Sequence, residues 1–328
     1  MQILRKLTNS MLALLALVTL ASAALAAEPG IPYPVSEISD QKAGSVLIYN
    51  AYTSAALPDP SHDTHISITN TSAFLPSFVH LFFVDGETCS VADAFVCLTP
   101  CQIACFLASD LDPGVNGYIV AVATDALGCP VSHNFLLGSA RVRYSSAVGH
   151  EADLGAEAIA ALYTGSLPTC TPASETATLP LDGVLYNLAP RVLLAEPLFN
   201  PAAASQLVVV NRIGGSLLTT AAPVGALFGI LTDDAENKFS FTVRSARCQF
   251  LFRPPSIRTA PPFTSVIPPG RCGFMSFWGA DDTFAYTGAI FTTSSAVHPT
   301  PFSSGKNLHK KTLTRFASYT IPVFAPPC

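Results

Sequence analysis

Residues 63–69 read Asp63-Thr64-His65-Ile66-Ser67-Ile68-Thr69. Thr64, Ile66 and Ile68 fall on one side of an extended chain, and His65, Ser67 and Thr69 fall on the other. A period of two with one apolar side is the pattern of a β-strand that buries one face and wets the other. Fifteen residues on, Phe78-Val-His-Leu-Phe-Phe-Val84 is apolar at almost every position, as is Tyr118-Ile-Val-Ala-Val-Ala-Thr124. A strand tolerates such a run only at the centre of a sheet covered on both sides. Between them Asp110-Leu-Asp112-Pro-Gly-Val-Asn116-Gly117 is dense in turn formers.

The same rhythm runs outward from this stretch. Strands are expected at 131–137, 206–211, 226–232, 238–244, 249–253, 273–278, 285–292 and 318–324, where Phe239, Phe241 and Val243 alternate with Ser240, Thr242 and Arg244. Composition agrees. The 328 residues are 49% hydrophobic and only 12% charged, with 27 Pro and 20 Gly. About a quarter of an ordinary soluble domain is charged, so this chain lacks the charge to dress long amphipathic helices, and a helical bundle is excluded. One helix is expected, at 150–163, where Ala and Leu are frequent and Leu154, Ile159 and Leu162 lie near one stripe. His150, Glu151 and Asp153 would open it, with the acids at the positive end of its dipole. Pro172, Pro180, Pro190 and Pro197 then mark a connection with one or two edge strands.

This strand–turn rhythm resembles that of immunoglobulin-like or fibronectin-like β-sandwiches, without the Cys-Trp-Cys signature of true immunoglobulin domains. The resemblance implies an all-β chain of two antiparallel β-sandwich domains with one short helix in the connection. The expected organisation is a signal peptide at 1–27, an N-terminal segment at 28–39, a first sandwich at 40–147, a helix and Pro-rich connection at 148–200, and a second sandwich at 201–328.

Residues 1–27 carry a basic start through Lys6, an apolar run from Met11 to Leu20, and small residues at Ala24, Ala26 and Ala27. That order is the one of a secretory signal peptide. The apolar run is too short to span a bilayer, and no later segment is long and uncharged enough to do so. The chain is therefore expected to be secreted, periplasmic or held at a cell surface. Formal net charge is −5, and without Arg5 and Lys6 the remainder holds 15 basic against 22 acidic residues. Such a balance opposes phosphate binding and argues against a nucleic-acid partner.

Nine cysteines in an exported chain point to disulfides. Cys101 and Cys105 on one strand would lie about 13 Å apart, too far to bond each other. Cys97 is within reach of either Cys101, closing a turn, or Cys89, stapling a hairpin. Cys248 and Cys272 are expected to pair, as are Cys170 and Cys328. The odd total leaves at least one thiol free or paired outside the chain. The spacing of Cys97, Cys101 and Cys105 lacks the C-x2-C knuckle of common zinc sites.

The remaining candidates read first as structural. On a strand His62 and His65 point to opposite faces, which weakens a joint role as metal ligands. His80 and His133 fall inside apolar strands. Asp110, Asp112 and Asn116 form an oxygen-rich turn that is the calcium candidate, followed by Asp233, Asp234 and Glu236 and by Asp281 and Asp282. No cofactor other than calcium is suggested. The chain has no G-x-S-x-G, H-E-x-x-H or G-x-x-x-x-G-K. Trp278 is the single tryptophan, so a sugar-stacking platform would fall to Phe and Tyr. The expectation is an exported, non-catalytic protein acting by surface contacts with a surface or matrix protein or a glycan, as an envelope, matrix or adhesion component, with homo-oligomers allowed. The alternatives are a calcium- or glycan-binding module and a secreted hydrolase with a site between the two domains.

Overall fold

The structure is a computed structural model that describes residues 31–32, 38–55, 62–144, 149–281, 283–294 and 301–328. The expected signal peptide lies outside the described residues. The first half forms β1 (Ile31–Pro32), β2 (Ile38–Ser39), β3 (Val46–Thr53), β4 (His65–Asn70), β5 (Ser77–Asp85), β6 (Val91–Leu98), β7 (Ile103–Leu107), β8 (Asn116–Thr124), β9 (Leu136–Tyr144), β10 (His150–Gly155), β11 (Glu157–Ile159) and β12 (Thr176–Pro180). The second half adds β13 (Ala189–Phe199), β14 (Ala204–Ile213), β15 (Gly215–Ser216), β16 (Gly225–Asp233), β17 (Lys238–Ser245), β18 (Gln249–Phe252), β19 (Cys272–Gly279), β20 (Ala285–Ser294), β21 (Ser303–Asn307), β22 (His309–Thr314) and β23 (Ser318–Pro322).

The fold is all-β, but it is not a pair of immunoglobulin-like sandwiches. The strands make five small sheets, ordered β1-β22-β13-β19-β16-β17, β10-β9-β4-β7, β2-β11-β3-β8-β5-β6, β12-β23-β15 and β18-β14-β20-β21. Two independent sandwiches would each enclose a core from their own half of the chain. Instead, two of the three cores mix the halves. Val46, Ile48, Phe82 and Val120 of the β3-β8-β5 sheet pack with Leu179, Ile213, Tyr319 and Ile321. The opposite face of that sheet, with Leu47, Leu81, Phe83 and Ile119, packs on Ile66, Ile68, Val142 and Leu154 together with Val209, Ala289 and Phe291. Only the third core, with Leu193, Leu231, Phe277, Val208 and Ile290, stays within the second half.

The reason is visible in β3, β5 and β8. Their residues are buried on both faces, as the unbroken apolar runs at 78–84 and 118–124 require. Both apolar faces have to be covered: β12 and β23 cover one, and β4, β9 and β10 with parts of β14 and β20 cover the other. A buried polar seam crosses the same junction. Asn50 donates to the Gly288 carbonyl (3.0 Å) and to Asn307 Oδ1 (2.7 Å). Thr287 Oγ1 bonds Asn50 Oδ1 (2.7 Å) and Glu157 Oε2 (2.5 Å), and Lys310 pairs with Glu157. Gln249 donates to the Gly117 carbonyl (2.8 Å) and to Asn211 Oδ1 (3.0 Å).

The expected helix at 150–163 is replaced by β10 and β11. Burial there alternates, with His150, Ala152 and Leu154 inside and Glu151 and Asp153 outside, so the register of β10 on β9 overrides the helix preference of Ala and Leu. The segment expected as a connection at 148–200 thus contributes strands to four sheets. The single α-helix among the described residues is Phe263–Val266.

The cysteines pair otherwise than their spacing suggests. The disulfides are Cys89–Cys248, Cys97–Cys328 and Cys129–Cys170. Cys101, Cys105 and Cys272 are free and exposed, so neither a Cys248–Cys272, a Cys170–Cys328, a Cys97–Cys101 nor a Cys89–Cys97 bridge forms. Partners 159 and 231 residues apart are adjacent only because the halves share cores.

Candidate functional site

The sheet β10-β9-β4-β7 turns one face to the second core and the other to solvent. Ile66, Ile68, Ala140, Val142, Ala152 and Leu154 point inward. Alternation therefore sends His65, Ser67, Ser139, Arg141, Arg143, Glu151 and Asp153 outward. Strand register arranges them in rows: Leu107, His65, Arg141 and Asp153 lie across the four strands, and Cys105, Ser67, Ser139 and Gly155 form the next row. The half-buried, half-wet pattern read at residues 63–69 is realised here.

Three depressions meet on this face, and each is lined by Arg141. One of about 470 Å³ lies over His65, Ser67, Asp110, Ser139 and Asp153. A second of about 410 Å³ extends over Glu151, Asp153 and Ser303. A third of about 300 Å³ reaches Asp63, Arg143 and Glu151. Glu151 holds both guanidinium groups in place. It accepts from Arg141 Nε at 2.8 Å and from Arg143 Nε at 3.1 Å and Nη2 at 3.0 Å. The Arg141 hydrogen bond is the chief reason that the Glu151 carboxyl sits below its ordinary range and the Arg141 guanidinium above its own. Glu151 is itself anchored through its backbone, since its N–H donates to Ser303 Oγ at 3.0 Å and its carbonyl accepts from Ser303 at 2.7 Å.

The balance of charge over the three depressions is four carboxylates, Asp63, Asp110, Glu151 and Asp153, against two guanidinium groups. An anion is disfavoured there. Ser67 and Ser139 hydrogen-bond each other at 2.8 Å rather than a base, so neither hydroxyl is prepared as a nucleophile. What the face offers is a dense alternation of hydrogen-bond donors and acceptors on a rigid sheet.

A further cavity of about 370 Å³ lies at the junction of the two halves, between Asp85, Glu87, Asn116, Tyr144, Arg247 and Gln249. Its lining contains no His, Ser or Cys, and much of its polar chemistry is already committed. Asp85 accepts from the Glu87 N–H at 2.8 Å, Arg247 pairs with Glu87 at 3.0 Å, and Gln249 belongs to the buried seam. The outer sheet face is the stronger candidate because three depressions converge there on one side chain, Arg141, beside the exposed Asp153.

The residues singled out from sequence are mostly occupied within the fold. Asp110 accepts from the Leu107 N–H at 2.9 Å, Asp112 from the Tyr52 hydroxyl at 2.5 Å, and Asn116 from the Ser54 N–H at 3.2 Å. Burial raises the Asp112 carboxyl above its usual range. Among the described residues no three His, Cys, Asp or Glu side chains converge on one point. Asp233 caps its own turn through the Ala235 and Asn237 N–H groups, each at 2.9 Å, and Asp234 pairs with Arg271. Asp281 accepts from Thr283, while Asp282 lies outside the described residues. His80 is enclosed between Phe82 and Phe95 and bonds Asp93 at 3.0 Å, while His133 bonds Asn70 Oδ1 at 2.9 Å. Burial lowers both imidazoles below their ordinary value. Trp278 is buried against Phe228 and supplies no stacking platform.

Of the site residues, His65 and Asp110 drew attention in the sequence for metal chemistry, and Glu151 and Asp153 were expected on a helix. Arg141, Arg143 and Ser139 were missed. Their signal is the alternation Ala140-Arg-Val-Arg-Tyr144, which puts both arginines on one side of a strand that runs from Leu136 to Tyr144, where the sequence suggests 131–137.

No family model and no curated protein matches the chain. Among solved structures, the crystal structure of a lectin from Pleurotus ostreatus in complex with GalNAc is 12% identical over 91% of this chain and 87% of that chain, with a TM-score of 0.17. A superposition that loose transfers neither a fold nor a ligand.

Proposed function

We propose that this is an exported, non-catalytic binding protein whose working surface is the outer face of β10-β9-β4-β7, and that it takes neutral, hydroxyl-rich ligands of the glycan class. The observation that carries the reading is the convergence of three depressions on Arg141, flanked by Asp153, Asp110, His65 and a serine pair. Sugar hydroxyls both donate and accept, so they match an alternation of carboxylate, guanidinium and hydroxyl groups, whereas an anionic ligand meets excess carboxylate. Leu107 at the rim gives an apolar edge against which a sugar ring can rest. Export is supported by three disulfides and by the leader expected from sequence. No helix among the described residues is long and apolar enough to cross a membrane.

The test is calorimetric titration of the mature protein with a panel of neutral and acidic oligosaccharides. Binding of a neutral member, weakened at least tenfold by Arg141→Ala and by Asp153→Ala with an unchanged melting temperature, is the expected result. If no neutral member binds, or Arg141→Ala binds as well as the parent, the reading fails.

A further inference from the structure

The same sheet ends in an edge strand, β7, whose outer side is unpaired at Ile103 and Cys105 among the described residues. β7 is hydrogen-bonded on one side only, to β4. The Ala108 N–H and the Gln102 carbonyl turn inward to Thr64 and Asn70, so by alternation the N–H and C=O groups of Ile103 and Cys105 point away from the sheet. The outward N–H of Leu107 is capped by Asp110. Exposed edges are normally blunted by Lys, Pro or charge. β17 carries Lys238 and Arg244, β21 carries Lys306, and β6 carries Asp93. β7 reads Ile-Ala-Cys-Phe-Leu, with no charge and no proline, and Ile103 is 55% exposed. At its middle stands Cys105, a free exposed thiol in a chain with three disulfides.

We infer that β7 pairs edge to edge with β7 of a second copy of this chain, antiparallel about a two-fold axis at Cys105, and that a Cys105–Cys105 disulfide locks the pair. A two-fold antiparallel pair centred there is self-complementary. Cys105 exchanges backbone hydrogen bonds with its counterpart, and Ile103 of each copy lies opposite Leu107 of the other, matching apolar to apolar. A hydrogen-bonded antiparallel pair has its Cα atoms about 5.5 Å apart, inside the roughly 4.4–6.8 Å range of disulfides. The thiolate of one Cys105 attacks a disulfide donor, such as an oxidoreductase of the export compartment or oxidised glutathione, and the second Cys105 displaces it. The two thiols lose two protons and two electrons, and the donor's disulfide is reduced to two thiols. The sheet grows from four strands to eight and sets two Arg141 faces side by side. The inference concerns assembly; Cys105 and Leu107 also line the first depression, so the paired edge borders the proposed ligand face.

The mature protein is incubated with oxidised glutathione, then examined by sedimentation, non-reducing gel and peptide mapping. The expected result is a dimer whose covalent fraction is reversed by reductant and maps to Cys105–Cys105. Cys105→Ser should abolish the covalent band yet still sediment as a dimer at high concentration. Cys105→Lys, which opposes two like charges across the axis, should be monomeric with an unchanged circular dichroism spectrum, and Ile103→Glu should weaken the dimer if the lysine variant misfolds. A monomeric parent, a cross-link through Cys101 or Cys272, a Cys105→Ser protein that no longer dimerises, or a dimer that survives both charged substitutions overturns it. None of these readouts involves a saccharide, so failure here leaves the ligand reading standing.

Discussion

Glu157 is the most exacting single residue. It is fully buried, its carboxylate is paired with Lys310, and Thr287 donates to it at 2.5 Å. Removing one member of a buried pair strands the other charge. Glu157→Ala should therefore lower stability by about 3–5 kcal/mol, read as a shift of the urea midpoint at constant slope. Glu157→Gln keeps an acceptor for Thr287 and should lose less. Gly138 carries a smaller, steric constraint. A Cβ there would lie 2.1 Å from the Tyr49 hydroxyl, which donates to the Ser67 carbonyl at 2.8 Å. Gly138→Ala should cost about 1–3 kcal/mol as an overpacking defect, and restoring room with Tyr49→Phe should recover part of it in a double-mutant cycle. Neither requirement could be read from sequence: a glycine and a glutamate in a strand-rich chain do not announce what lies opposite them.

At the scale of elements, the β9–β10 hairpin decides the candidate site. Residues 150–155 satisfy a helix by composition and a strand by alternation, and only pairing with β9 settles which governs. Once paired, Glu151 faces Arg143 in register and Asp153 faces Arg141. Because the Glu151 carboxyl is depressed, its contacts with Arg141 and Arg143 are complete above the ordinary glutamate value of about 4.3 and are lost as pH falls through the lower folded-state value. A carboxyl NMR titration should place the Glu151 midpoint below that of an exposed glutamate, and Arg141→Gln should move it upward. Both arginines are about half exposed, so the triad should add less than about 1 kcal/mol to stability. Losing it should affect ligand affinity far more than folding.

For the whole molecule, shared cores make a sharper prediction than two sandwiches would. The β3-β8-β5 sheet depends on β12 and β23 for one face and on β14 and β20 for part of the other. Scanning calorimetry should show one transition rather than two, and a fragment ending at residue 147 should bind hydrophobic dyes instead of folding. The Cys89–Cys248 bridge spans this dependence across 159 residues. Replacing both cysteines by serine should lower stability by about 2–5 kcal/mol, measured against the parent under non-reducing conditions.

Alternation and composition by themselves determined that the chain is all-β, that residues 63–69 wet one face, and that 78–84 and 118–124 are covered on both. Those properties depend on neighbours along the strand, which a sequence displays directly. Which sheets cover each other, which cysteines meet, and whether 150–163 pairs or coils depend on contacts made by segments up to 231 residues apart. The polar face around Arg141 is of that second kind, because its chemistry exists only where four strands from residues 65 to 155 lie side by side in register.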